Sequence, residues 1–498
     1  MQSFQIKPGR AAGILLPVFS LPSPYGIGTL GQAAYDWIDF LRAAGQRYWQ
    51  ILPLGPTSYG DSPYQSFSAF AGNPYFIDLD ILCDQGLLAQ QECDAVHWGL
   101  DEHRVDYKAI FDSRDTLLRK AYSRFSGREV LERFRCENAD WANDYALFMA
   151  IKSRINPGAW NEWDENIRKR DAQTMTSLQE ELREETDYHI FVQYKFHDQW
   201  AALKAYANGK GIGIIGDIPI YVAMDSADTW ANSALFLLDD DGRAIDVAGC
   251  PPDAFSPTGQ LWGNPLYRWD LLKEREYDWW INRIRGSLNL YDIVRIDHFR
   301  GFDSYYAIPG GSETAISGEW RSGPGIDLID KINHEFGRDR IIAEDLGLLT
   351  DSVRELLQQS GYPGMKVLQF AFSPHEQSDY LPHNHRRHCV VYTGTHDNDT
   401  IRGWFSDWNS ADIEFAMEYL GVTDAGAGCR AFVRAALSSI ANLAIIPFAD
   451  YLGLGNEARI NTPSTLGENN WCYRMSRNAA TPDLAQEIYR LASLYGRV

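Results

Sequence analysis

The sequence lacks the features that mark membrane, secreted and nucleic-acid-binding proteins. No stretch of its 498 residues reaches the 18 or so apolar residues of a membrane span, and its start, MQSFQIKPGRAAG, has no signal-peptide apolar run. Only 46 Lys and Arg stand against 67 Asp and Glu, and the resulting net charge of −21 repels nucleic acid and anionic lipid. We therefore expect a cytoplasmic protein whose partners include neither nucleic acid nor a membrane.

Metal and redox motifs are also scarce. The seven cysteines are odd in number and scattered without C-x-x-C spacing, which favours reduced thiols over disulfides or a metal site. The cluster His383, His385 and His388 lacks a neighbouring carboxylate, so we interpret it as a solvated loop. Phosphate-binding, zinc-protease and serine-hydrolase motifs are absent as well. The sequence thus predicts no metal and no cofactor for the chemistry, and whether a structural ion is bound does not follow from it.

Aromatic residues, in contrast, are abundant. The chain has 16 Trp, 26 Tyr and 23 Phe, together 13% of its residues. This is more than packing a core needs, and the flat faces of these rings are surfaces on which sugar rings stack.

Eight short apolar runs, rich in β-branched residues, end abruptly in polar residues, Gly or Pro. They cover residues 13–20, 48–53, 213–222, 292–299, 340–347, 365–372, 388–397 and 443–450. Apolar runs without strict alternation are typical of parallel strands buried on both faces. Amphipathic stretches such as Ala33 to Ala44 and Ser352 to Ser360 lie between most of them and predict helices. The alternation of apolar runs with amphipathic stretches, together with the count of eight runs, predicts a (β/α)8 barrel built from residues 1–498.

Two connections are too long for a plain barrel. About 160 residues separate the second and third runs, and residues 82–205 within them have Glu, Arg and Leu at helical spacing. We expect a mostly helical insertion there, with further loop insertions around the C-terminal mouth. Residues 249–269, GCPPDAFSPTGQLWGNPLYRW, combine Pro and Gly with aromatics and predict a structured lid loop over a pocket, to which Trp262 and Tyr267 contribute apolar surface.

Acidic residues stand where four of the apolar runs end. Asp217 ends the apolar part of the third run, Asp297 that of the fourth, Glu344 that of the fifth and Asp397 that of the seventh. A buried carboxylate needs a partner, and catalytic residues of (β/α)8 barrels lie at the C-terminal ends of the strands. Any one of these acids could be a helix N-cap, but four that converge predict an active site.

Local context separates the roles of two of these acids. Arg295 lies two residues before Asp297 and therefore on the same face of the strand, where its charge favours the ionised carboxylate and a nucleophilic role. Glu344 follows Ile341, Ile342 and Ala343, a setting that raises the pKa of a carboxyl group and keeps a proton available. One ionised and one protonated carboxyl group is the pairing that glycoside chemistry uses.

Several sequence blocks resemble those of the amylomaltases. VRIDHFRG (294–301), AEDLG (343–347), GTHDNDT (394–400) and GDIPIYV (216–222) are similar to blocks of these 4-alpha-glucanotransferases of glycoside hydrolase family 77, relatives of the alpha-amylases. SYGDSPYQSFSAFAGNPY (58–75) and the lid segment add to the resemblance, which runs from about Gly13 to past Trp471. The resemblance implies transfer of α-1,4-glucan segments between malto-oligosaccharides, maltodextrin or glycogen- and starch-derived glucans.

The resemblance also implies residue roles. Asp297 would be the nucleophile, Glu344 the general acid/base and Asp397 the carboxylate that stabilises the transition state. Residues that would bind substrate are Tyr64, Asp217, Trp262, Arg295, His298, Phe370 and His396.

Two alternatives stay open at this point. A hydrolase of α-1,4-glucans uses the same acids, so the ratio of transfer to hydrolysis is not fixed by them. A non-catalytic glucan-binding protein would be expected to have lost a catalytic acid, whereas all three are present. The oligomeric state does not follow from the sequence.

Overall fold

Twelve β-strands form two sheets in the computed structural model, which describes residues 9–58, 60–252, 256–347, 349–375, 377–406, 411–467 and 469–498. The strands are β1 (Ala11–Leu15), β2 (Tyr48–Gln50), β3 (Gly213–Pro219), β4 (Asp246–Cys250), β5 (Gln260–Pro265), β6 (Ile293–Asp297), β7 (Ser304–Pro309), β8 (Glu319–Ser322), β9 (Ile341–Ala343), β10 (Gly364–Val367), β11 (Cys389–Tyr392) and β12 (Leu443–Pro447).

The larger sheet is an eight-stranded parallel barrel. Its strand order is β10-β11-β12-β1-β2-β3-β6-β9, and every neighbouring pair is parallel. The two ends of this order meet where the amide of Ala343 donates a hydrogen bond of 3.0 Å to the carbonyl of Pro363, just before β10. The (β/α)8 fold is therefore confirmed, and each of the eight predicted runs overlaps one barrel strand.

Nineteen α-helices are described. They are α1 (Gln32–Ala43), α2 (Leu79–Asp84), α3 (Gln90–Asp94), α4 (Tyr107–Arg124), α5 (Arg128–Glu137), α6 (Ala142–Arg154), α7 (Glu165–Arg168), α8 (Ala172–Glu181), α9 (Arg183–Gly209), α10 (Ala227–Ala231), α11 (Trp269–Glu274), α12 (Asp278–Leu290), α13 (Ile326–Phe336), α14 (Asp351–Ser360), α15 (Ile401–Trp404), α16 (Ala411–Leu420), α17 (Ala425–Ser438), α18 (Phe448–Leu452) and α19 (Pro482–Leu494). Across these described residues, none of the helices has the length and apolar character needed to cross a membrane.

The connection between β2 and β3 is helical. Helices α2 to α9 lie within it, and the long helix α9 packs against α4, α5 and α6 and then leads directly into β3. Side chains of α9 also reach the segment before α2, since the amide of Gln193 pairs with the backbone of Gly72 and that of Gln199 pairs with Asp78. The insertion is thus anchored to the barrel through α9.

The smaller sheet is antiparallel and has the order β5-β4-β7-β8. It includes part of the segment 249–269, for which the sequence predicts a structured lid loop: residues 260–265 form strand β5 and pair with β4. The turn between these strands requires Gly259, whose φ is +70° and whose Cβ would lie 2.4 Å from the carbonyl oxygen of Cys250. Residues 253–255 of the predicted lid lie outside the described residues.

Candidate active site

The register of three neighbouring barrel strands brings acidic side chains together. Asp217 on β3 is the direct partner of Arg295 on β6, and Ile296 on β6 is the partner of Ala343, the last residue of β9. Asp297 ends β6, and Glu344 follows β9 directly. The predicted acids therefore meet at the C-terminal mouth of the barrel, where parallel strands all end.

Arg295 is the cation that holds this cluster together. Its guanidinium contacts Oδ2 of Asp217 at 2.5 Å through Nη1 and Oδ1 of Asp297 at 2.9 Å through Nη2, and its Nε contacts the Met365 sulfur at 3.3 Å. The side chains of Arg295 and Asp217 are buried, whereas that of Asp297 is 31% exposed. The shared guanidinium fixes Asp297 in position while leaving part of its carboxylate open to a ligand.

A left-handed turn after Asp297 positions Glu344. His298 has φ +54° and ψ 47°, a conformation in which His is enriched among non-glycine residues. Its backbone N–H donates to Oε2 of Glu344 at 2.7 Å, and the N–H of Leu346 donates to Oε1 at 2.7 Å. Both oxygens of Glu344 are therefore held by backbone amides, one of them from the residue next to Asp297.

The pKa values of the two acids differ in the direction that the sequence predicts. Burial and the charge of Asp297 raise the pKa of Glu344 to about 8. Burial also raises the pKa of Asp297 to about 6, with Arg295 opposing and Asp217 adding to the rise. Arg295 favours the ionised carboxylate, as the sequence predicts, but burial outweighs it and the pKa of Asp297 lies above its ordinary value. Asp297 nevertheless loses its proton first, so Glu344 stays protonated while Asp297 is ionised.

Asp397 differs from both, because its neighbours stabilise the ionised form. His396 Nε2 lies 3.3 Å from its Oδ2, and the amide of Asn461 donates to its Oδ1 at 2.6 Å. Burial acts to raise the pKa of Asp397, but these two partners lower it to about 2. For His396, burial acts to lower the pKa and Asp397 raises it above the ordinary value. Asp397 is a fixed negative charge at neutral pH.

Tyr64 connects these groups from the loop after β2. Its hydroxyl donates to Oδ2 of Asp217 at 2.8 Å, and its ring stacks on the imidazole of His396 at 5.1 Å. Trp471 packs beside both rings, at 5.8 Å from Tyr64 and 5.9 Å from His396. The structure thus places Tyr64, Asp217, Arg295 and His396 in one cluster.

The segment after β12 also contributes to the site, a role that was not predicted from the sequence. Asn461 binds the Asp397 side chain, Arg459 donates to the Asp397 carbonyl at 2.8 Å, and Trp471 packs on Tyr64. The sequence feature that could have indicated this role is residues 456–473, a polar stretch after the eighth predicted strand that contains Pro, Gly and an aromatic residue. The lid segment, which was predicted to be functional, has a similar combination of residues.

The three predicted aromatic contacts have different surroundings. Trp262 on β5 meets the ring of His298 edge-on at 4.9 Å, which places it beside the residue that holds Glu344. Burial lowers the pKa of His298 to about 3, so this imidazole is neutral at physiological pH. Phe370 is exposed and packs on Tyr380. The prediction that Tyr267 offers surface to a ligand is wrong, because its ring is buried and its hydroxyl binds the Ile220 carbonyl at 2.9 Å.

Among the described residues, no group of three or more His, Cys, Asp or Glu is arranged to hold a metal ion. The three histidines of the cluster after β10 each bind a different protein group. His383 contacts the hydroxyl of Tyr419, and His385 and His388 contact backbone carbonyls.

Comparison with known proteins gives close matches along the whole chain. A family model described as 4-alpha-glucanotransferase matches residues 16–480. The 4-alpha-glucanotransferase of Clostridium butyricum is 50% identical over 484 residues, covering 96% of this chain and 99% of its own. That of Thermus thermophilus is 45% identical and covers 98% and 99%. The structure of an amylomaltase from Streptococcus agalactiae in complex with acarbose matches with a TM-score of 0.95 at 40% identity, covering 98% and 99%.

Proposed function

The chain belongs to the 4-alpha-glucanotransferase family and is an enzyme that transfers α-1,4-glucan segments to an acceptor glucan, and from this premise we propose how its residues divide the reaction. Asp297 is the nucleophile, Glu344 the general acid/base, and Asp397 the carboxylate that stabilises the transition state. The observation that carries this assignment is the arrangement at the ends of β6 and β9, where the more easily ionised acid lies beside one that keeps its proton.

In the first half of the reaction Glu344 donates its proton to the departing glycosidic oxygen. Asp297 attacks the anomeric carbon, and the donor's new chain end leaves as a glucan with a free 4-hydroxyl. Arg295 helps to keep Asp297 ionised, while the backbone amides of His298 and Leu346 hold the Glu344 carboxyl group in place. The product of this step is a covalent glycosyl-enzyme.

In the second half Glu344 acts as a base. It takes the proton of the 4-hydroxyl of an acceptor glucan, whose oxygen attacks the anomeric carbon and releases Asp297. Two successive inversions of configuration at this carbon leave the anomeric configuration of the transferred glucan unchanged. Asp397, ionised through His396 and Asn461, stabilises the positive charge that develops on the sugar in both transition states.

The aromatic rings around the acids bind the glucan. Tyr64 and His396 stack on each other next to Asp217, and this surface contacts the sugar that is attacked. Trp262 lies next to His298 and covers the Glu344 side, where the acceptor enters and from which water must be excluded for transfer to prevail. Phe370, with its exposed ring, lies further along the path of the chain. Malto-oligosaccharides and glycogen- or starch-derived dextrins are the substrates of this site, and the cytoplasm, where reduced cysteines persist, is its compartment.

Incubation with maltotriose tests the proposal. Transfer gives glucose together with a ladder of oligomers longer than maltotriose, because the acceptor is another glucan. Growth of reducing ends without longer products would identify an α-1,4-glucan hydrolase instead and would overturn the proposed transfer. An Asp297→Asn preparation, processed in parallel, measures contaminating activity.

A further inference from the structure

The first two helices of the insertion place two thiols in contact. Cys83 lies at the end of α2 and Cys93 in α3, and their sulfur atoms are 3.9 Å apart. A disulfide bond is about 2.05 Å long, so the two sulfurs must approach each other by rotation of short side chains at helix ends. The two thiols take no part in the proposed glucan transfer.

The two thiols differ in access to solvent. Cys83 is partly exposed, while Cys93 is fully buried. Cys83 is therefore the more accessible of the two residues to a reagent in solution. This is the arrangement of an attacking thiol with a second thiol behind it that resolves the first product.

The buried thiol has an unusual neighbour in Arg114. This arginine is completely buried, donates through Nη2 to the carbonyl of Tyr75, and has no hydrogen-bond partner for Nε and Nη1 among the described residues. Burial raises the pKa of the Cys93 thiol to about 12, Cys83 and Asp80 add to the rise, and the charge of Arg114 opposes it. Arg114 therefore offsets only part of this rise, and the Cys93 thiol stays mostly protonated at neutral pH.

The charges that face Cys83 act in the other direction. Burial raises the pKa of the Cys83 thiol, and the carboxylates of Asp78, Asp80 and Asp84 add to this while the hydrogen bond with Cys93 opposes it. Attack by Cys83 therefore depends on a small thiolate fraction at neutral pH, and the rate should increase about tenfold for each pH unit below the thiol pKa.

We propose that Cys83 and Cys93 form a redox-active dithiol that a small-molecule disulfide, such as oxidised glutathione, converts to an intramolecular disulfide. The Cys83 thiolate attacks one sulfur of the reagent, forms a mixed disulfide and displaces one glutathione thiolate. Cys93 then attacks the Cys83 sulfur and displaces the second glutathione. The two protein thiols are oxidised, the reagent is reduced to two thiols, and the two protein protons end on those thiols.

The pair of cysteines lies where the helical insertion leaves the barrel. Asp78, just before α2, accepts hydrogen bonds from Thr29 and from the N–H of Ile81, so α2 is already tied to the barrel at its start. A bond between Cys83 and Cys93 adds a covalent link from α2 to α3. It restrains the unfolded chain, and oxidation should raise the midpoint of thermal unfolding, reversibly on reduction.

Peptide mapping without reducing agent tests the proposal on the full-length, reduced enzyme after incubation with oxidised glutathione. Wild type should yield a peptide with Cys83 linked to Cys93 that dithiothreitol separates, and its rate of formation should increase with pH as described. Cys93→Ser should accumulate glutathione on Cys83, because the resolving thiol is missing. Cys83→Ser should leave Cys93 unmodified.

Cys136→Ser is the matched control, since Cys136 is an exposed thiol on α5 and its removal should leave the linked peptide unchanged. Cys93→Ala serves as a second resolving-thiol variant if the serine variant does not fold. Glutathione on Cys83 that persists in wild type, or links that join Cys83 or Cys93 to other cysteines, would overturn the proposal. Equal modification of Cys93 in the presence and absence of Cys83 would do the same.

Discussion

The Glu344→Gln variant tests the division of labour between the two acids most directly. With pKa values of about 6 for Asp297 and about 8 for Glu344, both groups are about nine-tenths in their active protonation states at pH 7. The pH profile of kcat/KM for wild type should therefore be bell-shaped, with limbs near these two values. Glutamine cannot donate or accept the proton, so the variant should lose the alkaline limb and keep the acid one.

The size of the loss depends on the leaving group. With maltotriose, whose departing oxygen needs a proton, the variant should lose about 10²- to 10⁴-fold in kcat/KM. With an α-maltosyl fluoride donor, fluoride leaves without that proton, so the loss should be at least about 10²-fold smaller. The assay is initial-rate kinetics for both donors between pH 4.5 and 9.5, roughly spanning both limbs.

A matched variant separates chemistry from folding. Glutamine has one carbonyl oxygen and can accept only one of the two backbone N–H bonds that Glu344 accepts, which costs about 1–3 kcal/mol of stability. Asp345→Asn is the control, because Asp345 is a buried carboxylate that accepts a backbone N–H from Met365 at 2.6 Å. Both variants should lose similar stability in urea, but only Glu344→Gln should change the pH profile. An alkaline limb that persists near pH 8 in Glu344→Gln would refute the assignment of the acid.

Four further perturbations probe the rest of the site. Asp297→Asn should reduce disproportionation of maltotriose below detection while circular dichroism stays native; measurable elongation by this variant contradicts its role as nucleophile. Arg295→Lys keeps the positive charge but cannot contact both carboxylates through a guanidinium, so the pKa of the acid limb of kcat/KM should rise from about 6, by at most about 1–3 pH units. An acid limb with an unchanged pKa argues against electrostatic control of Asp297 by Arg295. Trp262→Ala should increase the yield of hydrolysis relative to transfer several-fold, measured as net reducing ends per longer oligomer, and an unchanged ratio excludes it as the barrier to water. Asp397 has a pKa of about 2 in the folded state, below its unfolded value of about 4, so its contribution to stability is present above pH 4 and is lost as the pH falls toward 2. Urea titrations should show this decrease of the free energy of unfolding with falling pH in wild type and a smaller decrease in His396→Phe. Equal decreases in the two proteins would refute the pairing of His396 with Asp397.

The barrel could be predicted from sequence because its signal is local. Each strand is a short apolar run, and its bounds are less well predicted than its presence: apolar residues 220–222 continue past the last paired residue of Gly213–Pro219, while the predicted run that contains Cys389–Tyr392 extends into the polar residues 393–397. The antiparallel sheet was not predicted. Its strand β8 carries Glu319, Trp320 and Arg321, with little apolar alternation, and β5 lies in a Pro- and Gly-rich segment.

The features of the site likewise fall into those that could be predicted from the sequence and those that could not. Asp217, Asp297, Glu344 and Asp397 could be found because each ends the apolar part of a predicted strand, and Asp397 also lies in a polar block. The pKa of Asp297 could not be predicted, because it depends on how deeply the mouth is buried and on the charge of Asp217 on the neighbouring strand β3, neither of which its sequence neighbour Arg295 reveals. Asn461 reaches Asp397 across 64 residues of chain, a contact that only the fold creates.

The closure of the barrel between its first and last strands has a consequence for how the chain folds during synthesis. Strand β1 pairs on one side with β2 but on the other with β12, whose residues 443–447 are made more than 400 residues later. Until then one edge of a buried apolar strand has no hydrogen-bonding partner, which invites pairing with other chains. The ring cannot close co-translationally before β12 leaves the ribosome, so nascent chains truncated upstream of β12 should depend on chaperones to stay soluble, whereas full-length chains should not.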